Sequence, residues 1–405
     1  MVVAAVGMRK FRKILANPLV QLVFVMTLVY FLHSKLSSDA IRFFLTISVC
    51  LRELLVFVLP FLLFSFVAAA LSSIPREGLF FVVGLMVIIS LSNFINILAS
   101  TGVGFQLLSG VVNQQIKECS TNLSPLFDPK LPGVMATNHA LLLGVAVGVA
   151  NSLRPQKYVS MAIDFLHDLV MRFMKKFFVP LLPAFVGGFL LKLFSEGRMT
   201  GFVEHNFRIC SLMCLFLLCY LAVWLLVAAS FRFEKALQIL KNIFPAIVTS
   251  FSTMSSAAAL PLSLNAAEKN THDKVLADAV MPLTLNFHMV GDTIVVPIMA
   301  MMVLLAFNHP LPDVRHFVLF GIFFVLNKFA GGGVPSGTIL VTVPVLRKFL
   351  GFDDEMTSFI IAFYGVMDPI ATAGNVAANN LFVIIFQKIR ATVKKRFPIR
   401  RSTSG

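Results

Sequence analysis

The chain of 405 residues is 58% hydrophobic and only 13% charged, with a mean hydropathy of +0.88. Soluble domains carry about 25% charged residues and roughly 45–50% apolar ones, and a water-soluble fold of this size could not hide so much apolar surface. The net charge of +15 does not point to nucleic acid, because no soluble domain with a basic, aromatic-studded face is visible.

The basic residues gather at the ends. Arg9, Lys10, Arg12 and Lys13 precede the first apolar run, and Lys388, Arg390, Lys394, Lys395, Arg396, Arg400 and Arg401 follow the last, with no acid after Asp368. The positive-inside rule then places both termini in the cytoplasm and requires an even number of crossings. No small-residue cleavage site follows Phe31, so residues 17–34 are expected to stay as a first span.

A spanning helix needs about 20 mostly apolar residues. Segments of that kind lie near 17–34, 41–74, 79–109, 134–152, 158–194, 207–230, 274–307 and 356–389, and the longer ones imply tilt or extension beyond the bilayer. The polar stretch 111–133 is an exposed connection, with turn signals at Asp128-Pro129 and Pro132-Gly133. Its Asn122-Leu-Ser sequon matters only on a eukaryotic secretory route. Cys50, Cys119, Cys210, Cys214 and Cys219 form no CxxC and adjoin no His cluster, which argues against a metal site or disulfide framework.

Two stretches break the pattern. Residues 245–270 and 314–350 each have short apolar arms around a centre of Ser, Ala, Gly and Pro. Such a segment can enter the membrane and return as a helical hairpin, provided protein or a wet cavity satisfies the backbone at its tip. A pair of interrupted segments is the best sequence pointer to a transporter's binding site.

Polar residues concentrate in 281–298 and 364–380, inside otherwise apolar helices. Ionisable groups at that depth normally face a cavity, a partner or an ion path. His288 and Asp292, four apart, are expected to share a helical face; Asp368, Thr372, Asn375 and Asn379 step by four, three and four and share another, with Asn380 off it. That second face offers a carboxylate for an ammonium group or cation, and amide and hydroxyl groups for a solute carboxylate. Gly291, Gly374 and Pro369 can free backbone carbonyls for a cation.

These residues resemble the dicarboxylate/amino acid:cation symporter family, the bacterial and archaeal glutamate-transporter homologues, over residues 17–390 and most strongly in the last 160. LRELLVFVLPFLLFSFVAAALSSI (51–74) resembles that family's second helix, and residues 162–191 its fifth. FSTMSSAAALP (251–261) resembles the first hairpin tip, with Ser255 and Ser256 on its serines and Ala257 replacing a third. GGGVPSGTI (331–339) resembles the second tip, the extracellular gate. The resemblance places Asp368 on the aspartate that holds the substrate amino group, Thr372 on a conserved threonine and Asn375 on the asparagine that meets the substrate carboxylate.

The departures are specific. The arginine that recognises an acidic side chain is here Ala371, which removes the bidentate fork and favours a neutral amino acid. The sodium-site aspartate of the last helix is Asn379. The NMDGT signature aligns with HMVGD (288–292), so that His288, Val290 and Asp292 replace asparagine, aspartate and threonine. Two readings stay open: Asp292 replaces a lost sodium carboxylate, or His288 with Asp292 takes protons.

The resemblance implies an all-α polytopic membrane protein with eight transmembrane helices and two re-entrant helical hairpins. It forms one integral unit over 1–390 with a basic cytoplasmic tail at 391–405. A scaffold would comprise mainly 17–74 and 134–194, and a moving transport unit mainly 79–109 and 207–390. A homotrimer in the bacterial inner membrane is implied. The expected function is symport of a small amino acid or dicarboxylate with Na+ or H+, without a cofactor or an enzymatic role. The expected substrate residues are Ser255, Ser256, Val334, Pro335, Gly337, Asp368, Thr372 and Asn375. The expected ion-coupling residues are His288, Gly291, Asp292, Asn375 and Asn379, with Asp292, Asn375 and Asn379 the candidate sodium ligands. A passive channel, or a weakly active degenerate homologue, is the alternative; a membrane enzyme has no HExxH, GxSxG or phosphate loop to support it.

Overall fold

The computed structural model describes residues 18–72, 79–109, 123–135, 137–196, 198–328 and 337–396, which are almost wholly helical. In chain order the helices are α1 (Pro18–Leu32), α2 (Ser38–Ser72), α3 (Leu79–Ser109), α4 (Thr137–Leu153), α5 (Lys157–Phe173), α6 (Val179–Ser195) and α7 (Arg198–Ala228). They continue as α8 (Phe233–Thr253), α9 (Ser256–Thr271), α10 (Lys274–Phe287), α11 (Val290–Ala306), α12 (Val314–Asn327), α13 (Gly337–Leu350) and α14 (Asp354–Arg396). Each apolar segment of the sequence falls on a helix or a helix pair.

Length separates these helices. Among the described residues, five stretches are long and apolar enough to cross a membrane: Ser38–Ala69, Phe81–Leu108, Phe207–Ala228, Lys274–Ala306 and Asp354–Thr392. A sixth arises if Lys157–Phe178 and Pro180–Ser195, bent by 55° at their junction, count as one span. The bend coincides with a π-helical turn, Met174–Phe178, a usual cause of helix kinks. Helices α1 and α4, with 15 and 17 residues, fall short of the usual crossing length.

Burial is graded from the centre outward. Every residue from Val290 to Leu304 of α11 is buried, because α3, α7 and α14 pack around it. By contrast α7 exposes Phe207, Leu215, Leu218 and Val223, and α1, α3, α4 and α5 also expose large apolar side chains. Exposed apolar area on this scale marks contact with lipid or protein rather than water.

Both interrupted segments are helical hairpins in outline. The first runs from α8 to α9 through a two-residue turn: Met254 takes a left-handed φ of 53°, and Ser255 caps α9 by accepting from the Ala258 N–H at 3.3 Å. It begins at Phe233 rather than near 245, because Ala236, Ile239 and Ile243 form a buried stripe within a stretch whose exposed lysines and glutamate hide its membrane character. The second hairpin pairs α12 with α13. Asp313 caps its first arm by accepting from the His316 N–H at 2.9 Å. Val334 and Pro335 lie outside the described residues, as do the basic residues before Pro18 and after Arg396.

The span 274–307 is not one helix. It breaks between α10 and α11 at His288 (φ −95°, ψ 93°) and Met289. Asn93 of α3 bridges the gap: its Nδ2 donates to the Phe287 carbonyl at 2.7 Å, and its Oδ1 accepts from the Met289 N–H at 3.3 Å. A backbone broken at membrane depth needs such partners.

Candidate functional site

The break decides where the polar groups point. The expected shared face of His288 and Asp292 does not form, since an i, i+4 relation requires continuous helix and the extended backbone at 288–289 turns the two apart. They belong to two separate clusters.

The first cluster surrounds His288, which is fully buried. Its Nδ1 is 3.1 Å from Asn379 Oδ1 and its Nε2 is 3.1 Å from Ser92 Oγ. The ring lies between Trp224 and Phe382, with centroids 5.5 and 4.8 Å away. Asn379 is thus held against the histidine, apart from Asp292.

The second cluster centres on Asp292, in the first turn of α11. Its Oδ1 accepts from the Tyr364 hydroxyl. Its Oδ2 accepts from Thr338 Oγ1 at 2.8 Å and from Asn375 Nδ2 at 3.1 Å. Asn375 Oδ1 in turn accepts from the Asp292 N–H at 3.3 Å. Lys328 Nζ stands 3.2 Å from Oδ2, close enough for an ion pair but off-axis for a directed hydrogen bond. On α14, Thr372 Oγ1 donates to Asp368 Oδ1 at 2.8 Å, as their four-residue spacing anticipates.

These groups line one small cavity of about 20 Å³, the space of roughly one water. Around it stand Ser255 and Ser256 from the first hairpin tip, Gly337 and Thr338 from the second hairpin, Met289 and Asp292 from the broken helix, and Tyr364, Asp368, Thr372 and Asn375 from α14. The structure therefore brings together six of the eight residues expected to meet substrate, from three elements far apart in sequence. Gly291 has a packing role: a Cβ there would lie 2.0 Å from the Ala371 carbonyl oxygen. Asn380 turns away, donating to Ser263 Oγ at 3.2 Å.

Sequence reasoning missed Tyr364 and Thr338, both donors to Asp292, as well as Lys328 and a polar face of α3. Lys328 is the sole charged residue between Arg315 and Arg347, a signal of the same kind that exposed Asp292. Ser92, Asn93, Asn96 and Ser100 lie on α3, where spacings of three and four mark one polar face. Besides Ser92 and Asn93, Asn96 Oδ1 accepts from Tyr220, and Ser100 Oγ donates to the Thr293 carbonyl at 2.9 Å.

The sequence model of the sodium:dicarboxylate symporter family matches residues 13–389. The chain belongs to this family. It is similar to the proton/sodium-glutamate symport protein of Geobacillus stearothermophilus, with 26% identity over 151 residues, 37% of this chain and 35% of that protein. It is also similar to the serine/threonine transporter SstT of Acinetobacter baumannii, 23% identical over 142 residues and 34% of each chain. With SstT of Acinetobacter baylyi the identity is 24% over 169 residues, 39% of this chain and 42% of that one. These matches span about a third to two-fifths of the relatives' length. Membership places the interrupted hairpins and the α10–α11 break within a family of symporters.

Proposed function

We propose that the protein is a secondary transporter that imports a small amino acid or dicarboxylate with a coupled cation, sodium or proton, and that it prefers a neutral amino acid. The observation that carries this reading is the single cavity shared by Ser255, Ser256, Asp368, Thr372 and Asn375. A carboxylate beside a hydroxyl and an amide, facing a serine-rich helix start, suits a zwitterion. Asp368 meets the ammonium; Asn375 and the N-terminal end of α9, whose N–H groups favour negative charge, meet the carboxylate.

The preference for a neutral side chain rests on Ala371. It is buried against Gly291 and offers no guanidinium to a second carboxylate. The names of the relatives divide in the same way, one being a glutamate symporter and the other a serine/threonine transporter.

The packing supports a two-part mechanism. Helix α2 packs on α4, α5 and α6, and α1 packs on α6. Helices α3 and α7 to α14 pack mainly on one another. In our reading the first group is the scaffold of a homotrimer in the inner membrane, with both termini cytoplasmic, and the second carries the loaded site across.

The test is uptake by purified protein in liposomes, with neutral amino acids and dicarboxylates offered under separate sodium and proton gradients. Gradient-driven accumulation of serine, threonine or alanine above aspartate is expected. Equal flux with and without a gradient, and no counterflow, would instead identify a passive channel.

A further inference from the structure

The sodium ion that the family name implies would be cargo here, and the surroundings of Asp292 do not suit it. A coupled cation at this carboxylate needs free oxygen lone pairs and an uncompensated negative charge. Neither is offered. Tyr364, Thr338 and Asn375 all direct donors at the two oxygens, and a full positive charge, Lys328 Nζ, lies 3.2 Å from Oδ2. Both members of the pair are 1% exposed. The ammonium also sits 4.3 Å from the centre of the Phe324 ring, a contact that favours a desolvated cation.

The position of Lys328 in the fold matters as much as its charge. It directly follows α12, the first arm of the second hairpin, whereas Thr338 is in the first turn of α13, the second arm. Asp292 therefore grips both arms, one through an ion pair and one through a hydrogen bond. A mobile cation entering here would have to expel the lysine or share one carboxylate with it. Removing one partner of a buried pair leaves an uncompensated charge, which is strongly destabilising.

We infer that Lys328 is a built-in cation: its ammonium stands where a transported cation would otherwise neutralise Asp292, and it docks the second hairpin on the broken helix without an ion from solution. The consequence for turnover rests on the carrier reading above: whichever cation is coupled, Asp292 neither takes it up nor releases it. The ion pair itself does not depend on that reading.

The test uses the full-length purified protein and thermal unfolding in sodium chloride against choline chloride at equal ionic strength. Lys328→Met is expected to lower the melting temperature in choline by several degrees. It should also acquire a saturable rise with sodium larger than the wild-type protein shows, since the vacated carboxylate can then accept the ion. Asp292→Asn/Lys328→Met is expected to melt above either single variant in choline and to lose the acquired response. If Lys328→Met yields no folded protein, Asp292→Asn against the double variant still reads the pairing.

A sodium response in Lys328→Met equal to that of wild type, or a double variant no more stable than Asp292→Asn, would overturn the inference. Liposome uptake separates the two readings. Absence of transport for every amino acid and dicarboxylate tried would sink the carrier assignment alone, while the melting series decides the role of Lys328.

Discussion

The carbonyl oxygen of Ala371 lies 2.0 Å from the point where a Cβ on Gly291 would stand, and the Ala371 Cα only 3.0 Å from it. Helices α11 and α14 therefore touch backbone to backbone at the level of the cavity, as small residues allow in membrane proteins. Gly374 extends the contact, since a Cβ there would lie 3.3 Å from the Gly291 Cα. Gly291→Ala must push the helices apart, because backbone cannot rotate aside as a side chain could. Overpacking of a well-filled core costs about 1–3 kcal/mol, and the upper end is expected here. The detergent-solubilised variant should melt below wild type and lose solute binding as Asp292 and Asn375 separate. A variant with wild-type melting would show that the helices are farther apart than described.

Asn93 offers a second point of attack on the same architecture. Its amide satisfies one carbonyl and one N–H on opposite sides of the α10–α11 break. Each buried polar group left unsatisfied costs about 1–3 kcal/mol. Asn93→Ala is expected to be the more damaging variant, since it orphans both groups. Asn93→Asp keeps the acceptor for Met289 and loses only the donor to Phe287, at the risk of a buried charge. Thermal unfolding of the two variants checks this, with equal stability to wild type as the outcome that discards the bridging role.

At the cavity, the proposed ammonium site gives a graded expectation. Asp368→Asn removes the charge that would hold a substrate amino group, and a hydrogen bond to a charged group is worth about 1.5–3 kcal/mol, or roughly 10–100-fold in affinity. Thr372→Val removes only the hydroxyl that orients Asp368, worth about 0.5–1.5 kcal/mol, or roughly 3–10-fold. The ranking, measured as apparent affinity in liposome uptake, is the discriminating feature. If Thr372→Val proves as damaging as Asp368→Asn, the threonine touches substrate itself.

Much of this was legible because hydrocarbon enforces simple rules. Apolar length located the helices, and Asp368 with Thr372 and Asn375 could be placed on one face because α14 is continuous through them. The same rule failed for His288 and Asp292, where the helix breaks without a glycine or proline at the break itself. The break is held by Asn93, almost 200 residues earlier, and a tertiary partner leaves no local trace. Lys328 leaves only a faint trace in the sequence, a lone charge just ahead of a Gly/Pro-rich stretch. The start of the first hairpin is masked in the sequence because amphipathic α8 does not read as a spanning segment.

The last relationship ties α14 to α7, the span least buried within the protein. Helix α7 ends at Ala228, and its final carbonyls have no partner within the helix. Lys388 of α14 reaches across to them: its Nζ donates to the Val227 carbonyl at 3.1 Å, to the Ala228 carbonyl at 2.6 Å and to Ser230 Oγ at 2.6 Å. All three ammonium donors are used, and a cation is favoured at a helix C-terminus. Lys388→Met is therefore expected to lower stability by about 1 kcal/mol at low ionic strength, with the melting difference from wild type shrinking as salt screens the charge. Lys388→Arg should retain part of the stability, since it keeps the charge but replaces a compact three-donor head with a planar fork. A Lys388→Met protein that unfolds with wild type at both salt concentrations would show that α7 is held to α14 by apolar packing alone.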